Sequence, residues 1–159
     1  MIEPTTLLRL IPLLPLLGAA ICIYAAAKDL RSVPKIVGPG SVLAAFLVAL
    51  AAVARFWQLP PGAALLDRLW TWIDVSSLQV DLAFRLDALT SVMVLIVTGV
   101  GFLIHLYSLG YMHDDPDQPR FFAYLNLFTG SMLILVLAAS LPVLFIGWEG
   151  VGLCSYLLI

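Results

Sequence analysis

Five stretches of this chain, residues 6–27, 36–57, 88–109, 121–140 and 141–159, are each about twenty residues long and almost wholly apolar. At about 1.5 Å of rise per helical residue, such a length crosses a hydrocarbon core of roughly 30 Å. In lipid every peptide N–H and C=O must find a partner within the structure, and a helix supplies its own. The expected fold is therefore all-α integral membrane, with about five transmembrane helices forming the N-terminal part of one domain over 1–159. The fifth run is still apolar at Ile159, with no cap or polar flank, so it reads as truncated. Composition agrees: 62% of residues are hydrophobic, 11% are charged, and the mean hydropathy is +1.06. Ala25–Ala27 offers a rival signal-peptide site after the first run, but Arg9 is the run's only positive charge and Pro12 and Pro15 come early.

Residues 59–87 break the pattern. Pro60, Pro61 and Gly62 end the second helix, and Leu65, Leu66, Leu69, Trp70 and Ile73 recur at mixed helical spacing, as in a segment lying at the interface. From Leu78 the period becomes two: Leu78, Val80, Leu82, Phe84 and Leu86 alternate with Gln79, Asp81, Ala83, Arg85 and Asp87, which predicts a half-buried strand. Its partner is expected around 70–74, joined through Val75, Ser76 and Ser77, in a small extramembrane β-hairpin between helices 2 and 3. Trp57, Trp70 and Trp72 suit an interfacial aromatic belt. Orientation does not follow from a count of cations: Lys28, Arg31, Lys35 and Arg120 face Arg9, Arg55, Arg68 and Arg85 across the membrane, four against four. The clustering of the first three favours their loop as cytoplasmic.

A net charge of −2 gives no nucleic-acid footprint. Cys22 and Cys154 stand alone in apolar runs and read as packing residues. Gly99 and Gly101 are followed by Ile104 where a dinucleotide fingerprint needs glycine, and neither a P-loop nor a cysteine ladder occurs. No cofactor and no metal are expected on this chain.

The informative residue is Glu149, ninth of nineteen in its apolar run. A charge at mid-helix costs about 2.5–3.5 kcal/mol on insertion scales, so this carboxylate must pair with a cation, line hydrated space or take up a proton. Burial raises a carboxyl pKa and a nearby lysine lowers it, so a partner that moves would load and unload a proton. On a helix Pro142, Phe145, Ile146, Gly152, Leu153 and Tyr156 share its face, and Gly147, Gly150 and Gly152 would admit another helix or water. The competing reading is a glutamate hydrogen-bonded to a neighbouring helix as structural glue. Tyr156, two turns on, and His105, toward the end of the third run, are possible supporting groups. Asp87 reads as a helix N-cap, His113 as a solvated loop residue, and Asn126 and Thr129 as packing residues able to bond across helices.

Three blocks carry a resemblance: 86–90 (LDALT) leading into 97–105 (VTGVGFLIH), 121–128 (FFAYLNLF), and 147–159 (GWEGVGLCSYLLI). Together they resemble the subunit L family of the proton-pumping NADH:quinone oxidoreductase, respiratory complex I, over the C-terminal half; the first seventy residues or so agree mainly in pattern. The resemblance implies an antiporter-like membrane-arm subunit taking part in proton translocation coupled to quinone reduction. Glu149 matches the family's fifth-helix glutamate, which works opposite a lysine on a later helix. NADH, FMN, iron-sulfur clusters and quinone are expected on other subunits, the partners are other membrane subunits of complex I, and the location is the inner membrane of a bacterium. The alternatives are a related antiporter-like subunit of a sodium/proton antiporter, hydrogenase or inorganic-carbon transporter, and a non-catalytic membrane scaffold.

Overall fold

The computed structural model describes residues 2–30, 32–76 and 78–159; Arg31 of the basic cluster, Ser77 of the expected turn and the Leu78 side chain lie outside the described part. Five helices are long and apolar enough to span a membrane: α1 (Leu10–Ala27), α2 (Ser32–Phe56), α3 (Ala88–Tyr111), α4 (Gln118–Leu137) and α5 (Leu141–Leu158). The chain is a multi-pass membrane protein. Three strands, β1 (Ile2–Pro4), β2 (Ala64–Val75) and β3 (Leu78–Leu86), form one small sheet at the end of the bundle where α1, α3 and α5 begin.

The hairpin expected between helices 2 and 3 is present, but it is larger than its alternating half. β2 pairs antiparallel with β3 from Leu65↔Leu86 to Val75↔Leu78, so residues 64–69 are strand rather than an interfacial helix. β1 adds a third strand, parallel to β2, with Pro4 opposite Leu66 and the Thr5 N–H donating to Leu66 O at 2.9 Å. This strand occupies the residues just before α1, so the first span begins at Leu10 rather than near Thr6. Covering one edge of β2 satisfies N–H and C=O groups that the membrane boundary would leave open. Gly62 supplies the positive φ of 80° in the turn after α2.

A carboxylate holds this end together. Asp67 on β2 has no exposed side-chain surface, and accepts from the Arg9 backbone N–H at 2.9 Å and from its Nε at 3.0 Å, as well as from Nη2. Arg9 thus binds the first turn of α1 to the sheet twice over, while 38% of its own side chain remains exposed. The two halves of the pair are unequal. Removing Arg9 strands a buried carboxylate, whereas removing Asp67 frees a guanidinium that can turn to water. Arg9→Gln is expected to lower resistance to detergent denaturation clearly more than Asp67→Asn; equal losses would show that the carboxylate is not the costly partner.

Within the bundle α1, α2 and α4 pack through small residues, since apolar side chains gain little by leaving lipid and close backbone approach is what holds helices together. A Cβ on Gly38 would come to 2.8 Å from the Phe122 ring, and one on Gly130 to 2.6 Å from Leu16 Cδ2. A polar pair lies at this junction, Asn126 fully buried and Ser41 partly so, with Ser41 Oγ donating to Asn126 Oδ1 at 2.6 Å and Asn126 Nδ2 donating to Phe122 O at 2.9 Å. Asn126 does bond across helices; Thr129 instead donates to Leu125 O of its own turn. Pro39 stands fourth in the apolar run 36–57, which by itself would put it in the first turn of a helix. Because α2 starts at Ser32, it lies inside the helix, where its missing N–H leaves a carbonyl one turn back without its usual partner.

The sheet also reaches the connection between α4 and α5. The fourth span ends at Leu137, Ala138 forms an isolated bridge with Phe84 of β3, and the Ala139 N–H donates to Ala83 O at 3.0 Å. Pro142 sits in the first turn of α5, where a missing N–H costs nothing.

Asp87 caps α3 as expected, its carboxylate accepting from the Thr90 N–H at 3.0 Å. That bond, helped by Arg85 at 3.7 Å, holds its pKa below the usual carboxylate range against partial burial. A depressed carboxyl pKa means that the cap contributes fully above the unfolded value of about 3.9 and is lost as pH falls through the lower folded value. Asp87→Ala is expected to cost about 1 kcal/mol at neutral pH and less in strong acid, where the protonated carboxyl caps only as a neutral acceptor, and Asp87→Asn to remove the pH dependence while keeping most of the cap. Denaturation series at several pH values check this.

Candidate functional site: the outward face of the fifth helix

The sequence of α5 divides its surface into two. Gly147, Cys154 and Val143 are buried against α4, and Gly150 lies there too: a Cβ at Gly147 would come to 2.5 Å from the Leu135 backbone N, and one at Gly150 to 2.7 Å from Ser131 Oγ. Positions 143, 147, 150 and 154 follow the helical repeat, and their small side chains let α5 lie against α4. The opposite face carries the large residues. Phe145, Trp148, Leu153 and Tyr156 are all more than half exposed, and Glu149 is exposed among them.

Glu149 therefore stands at mid-span on the side of α5 turned away from the other four helices. It has neither hydrogen bond nor ion pair with the described residues. The glue reading requires a partner on a neighbouring helix, and none of the helices described here supplies one. Of the three glycines read together as an approach to Glu149, two belong to the α4 contact; Gly152 alone is open on the outer face, with nothing within 4 Å of where a Cβ would stand. Tyr156 shares the face, 78% exposed and two turns, about 10 Å, along the axis.

His105 is elsewhere. It is fully buried on α3, its Nδ1 is 2.8 Å from Gly101 O, and its ring lies 6.2 Å from that of Phe122 on α4. A carbonyl only accepts, so Nδ1 carries the proton, and in the neutral ring Nε2 is a buried acceptor without a partner among the described residues. Phe122 faces α3, while Ser131 and Leu135, on the opposite side of α4, face α5. Hence α4 stands between His105 and Glu149, and the three candidate residues do not form one cluster: Glu149 and Tyr156 share a face, and His105 is apart.

Ser41 and Asn126 are polar groups in the bundle interior that sequence reading left unpaired, because only the packing of α2 on α4 brings together residues 85 positions apart. Asp67 was missed as well. In a run of leucines it gives no periodic signal, and its partner Arg9 lies 58 positions away in the sequence.

Residues 72–122 match the family model for the N-terminus of chain 5 of NADH-ubiquinone oxidoreductase (complex I). NADH-quinone oxidoreductase subunit L of Mycobacterium tuberculosis is 46% identical over 147 residues, which cover 92% of this chain and 23% of that protein. The Escherichia coli subunit L is 44% identical over 154 residues, covering 96% of this chain and 25% of its own. The chain belongs to the complex I subunit L and chain 5 family. Chain 5 of NADH-ubiquinone oxidoreductase from the anemone Metridium senile is 50% identical over 92 residues, covering 58% of this chain and 15% of its own. The chain thus spans about a quarter of the length of the curated subunit L relatives it matches. The family-model match runs from the second half of β2 through α3 to the start of α4, the part that caps, enters and leaves the third span; the subunit L likeness extends over nearly the whole chain, α5 included.

Proposed function

We propose that this chain is part of a membrane-arm subunit of NADH:quinone oxidoreductase and takes part in proton translocation coupled to quinone reduction, with Glu149 as the group that takes up and gives back the proton. The observation carrying this reading is a carboxylate at mid-span on the outward face of α5, without a partner among the described residues, in a chain 44–46% identical to subunit L proteins. A charge so placed is too costly to leave facing lipid, so it must be met by a cation, by water or by a proton. Each of these couples its protonation to what approaches α5.

Tyr156 offers a hydroxyl on the same face, suited to passing a proton or holding a water between turns. His105 would act separately, on the α3–α4 side, as a group able to carry a proton through its unpartnered Nε2. Redox chemistry, with NADH, FMN, iron-sulfur clusters and quinone, belongs in this reading to other subunits, which are also its partners in the inner membrane of a bacterium. The test is proton uptake into vesicles, measured beside quinone reduction, for Glu149→Gln in the full-length chain. Unchanged pumping by an assembled complex would leave the scaffold reading in its place.

A further inference from the structure

On the sheet side of the bundle three guanidiniums line one open hollow of about 540 Å³: Arg9 at the start of α1, Arg55 in the last turn of α2 and Arg68 on β2. Thr5 and Thr6 add two hydroxyls, and no carboxylate is among the lining residues. The carboxylates that balance these arginines meet them at particular nitrogens: Glu3 takes Arg55 Nη2 at 2.7 Å, Asp81 takes Arg68 Nη2 at 2.8 Å, and Asp67 takes Nε and Nη2 of Arg9. A guanidinium has five N–H donors, so these pairs fix the three forks while leaving further donors on each. Side-chain exposures of 38%, 44% and 50% for Arg9, Arg55 and Arg68 keep them accessible.

The position of the hollow indicates the kind of anion. α1 begins and α2 ends here, so it lies at the depth where hydrocarbon gives way to headgroups. Trp57, next but one to Arg55, is 76% exposed, and Trp70 and Trp72 on the neighbouring sheet are 57% and 49% exposed, as amphipathic rings at a membrane interface are. Ile2, 65% exposed, borders the hollow, and Leu10, 38% exposed, opens the α1 surface below it, giving an apolar way down from the cations. Planar forks that bind phosphate oxygens in pairs, above an apolar path, are complementary to an anionic lipid with a phosphodiester at its headgroup and acyl chains beneath.

We propose that this hollow is a binding site for an anionic phospholipid, with the headgroup phosphate held between Arg55 and Arg68 and one acyl chain running down α1. Arg9 contributes charge but is committed to Asp67. The site joins the sheet, α1 and α2 through a shared ligand, and is independent of the proton-translocation reading.

The test uses the full-length chain in its purified native assembly, reconstituted in nanodiscs of phosphatidylcholine with a photoactivatable phosphatidylglycerol. Cross-linking is expected on peptides containing residues 2–9 or 64–68. Excess phosphatidylglycerol should compete it away, while phosphatidylcholine and inorganic phosphate should not. Arg55→Gln/Arg68→Gln should reduce labelling about tenfold, the effect of losing roughly 1.4 kcal/mol of binding. Competition by phosphatidylcholine would mean ordinary boundary lipid, competition by inorganic phosphate a free-anion site, and absence of labelling a hollow covered by another chain; each overturns the proposal. Because competition is read on the unaltered protein, the result stands even if the double variant fails to assemble.

Discussion

Glu149→Gln in the full-length chain is expected to leave the complex assembled and its quinone reduction measurable, and to lower protons moved per turnover roughly tenfold or more. The substitution keeps the size and hydrogen-bonding reach of the side chain and removes the titratable proton together with the negative charge. Where Glu149 sits sharpens the expectation. It has no hydrogen bond or ion pair with the described residues of α1–α4, so neither their packing nor the α4–α5 seam depends on its charge. A scaffold residue on this face would show the reverse, with assembly impaired and pumping per assembled complex unchanged. Tyr156→Phe removes a hydroxyl on the same face and should give a smaller loss in the same direction.

The second large effect concerns two glycines on α5 that look equivalent in the sequence. Gly147→Ala puts a methyl group 2.5 Å from the backbone N of Leu135, and a backbone atom cannot swing away as a side-chain tip can. The helices must part or slide, and overpacking of that kind costs about 1–3 kcal/mol. Gly152→Ala meets nothing within 4 Å and should change the stability of the described bundle by less than about 0.5 kcal/mol, apart from any gain in helix propensity. Detergent unfolding of the two variants side by side tests the seam. If Gly152→Ala instead proves as damaging in the full-length protein, a further helix approaches α5 on the face that carries Glu149.

The spans were legible because lipid imposes one rule on every backbone polar group, and a run of about twenty apolar residues obeys it in only one common way. β3 was legible from its alternation. β2 was not, because its burial alternates from Leu65 onward while its hydrophobicity does not: Asp67 lies on the more buried side, and Leu66, Trp70 and Trp72 on the more exposed one. β1 has three residues, too few to show any period.

Glu149 announced itself by its cost, which composition alone reveals. The direction in which it points did not, since that depends on which stripe of α5 is narrow enough for α4. With Gly147, Gly150 and Cys154 known to form that stripe, the outward placement of Glu149 follows from helical geometry. The separation of His105 from it required knowing that α4 lies between.

The attachment of β3 to the α4–α5 connection has a mechanical meaning. With Ala138 bridged to Phe84 and Ala139 tied to Ala83, α5 is a rod clamped at one end by the extramembrane sheet. A tilt of that rod turns about the clamp. Glu149 lies eight residues from Leu141, roughly 12 Å along the axis, and Leu158 seventeen residues, roughly 26 Å. Any sideways displacement at the far tip therefore reaches the carboxylate at a little under half its size. The sheet acts as the fulcrum of a lever with the charge near its middle, so loosening the clamp at Phe84 would change how far that charge travels without altering a single residue around it.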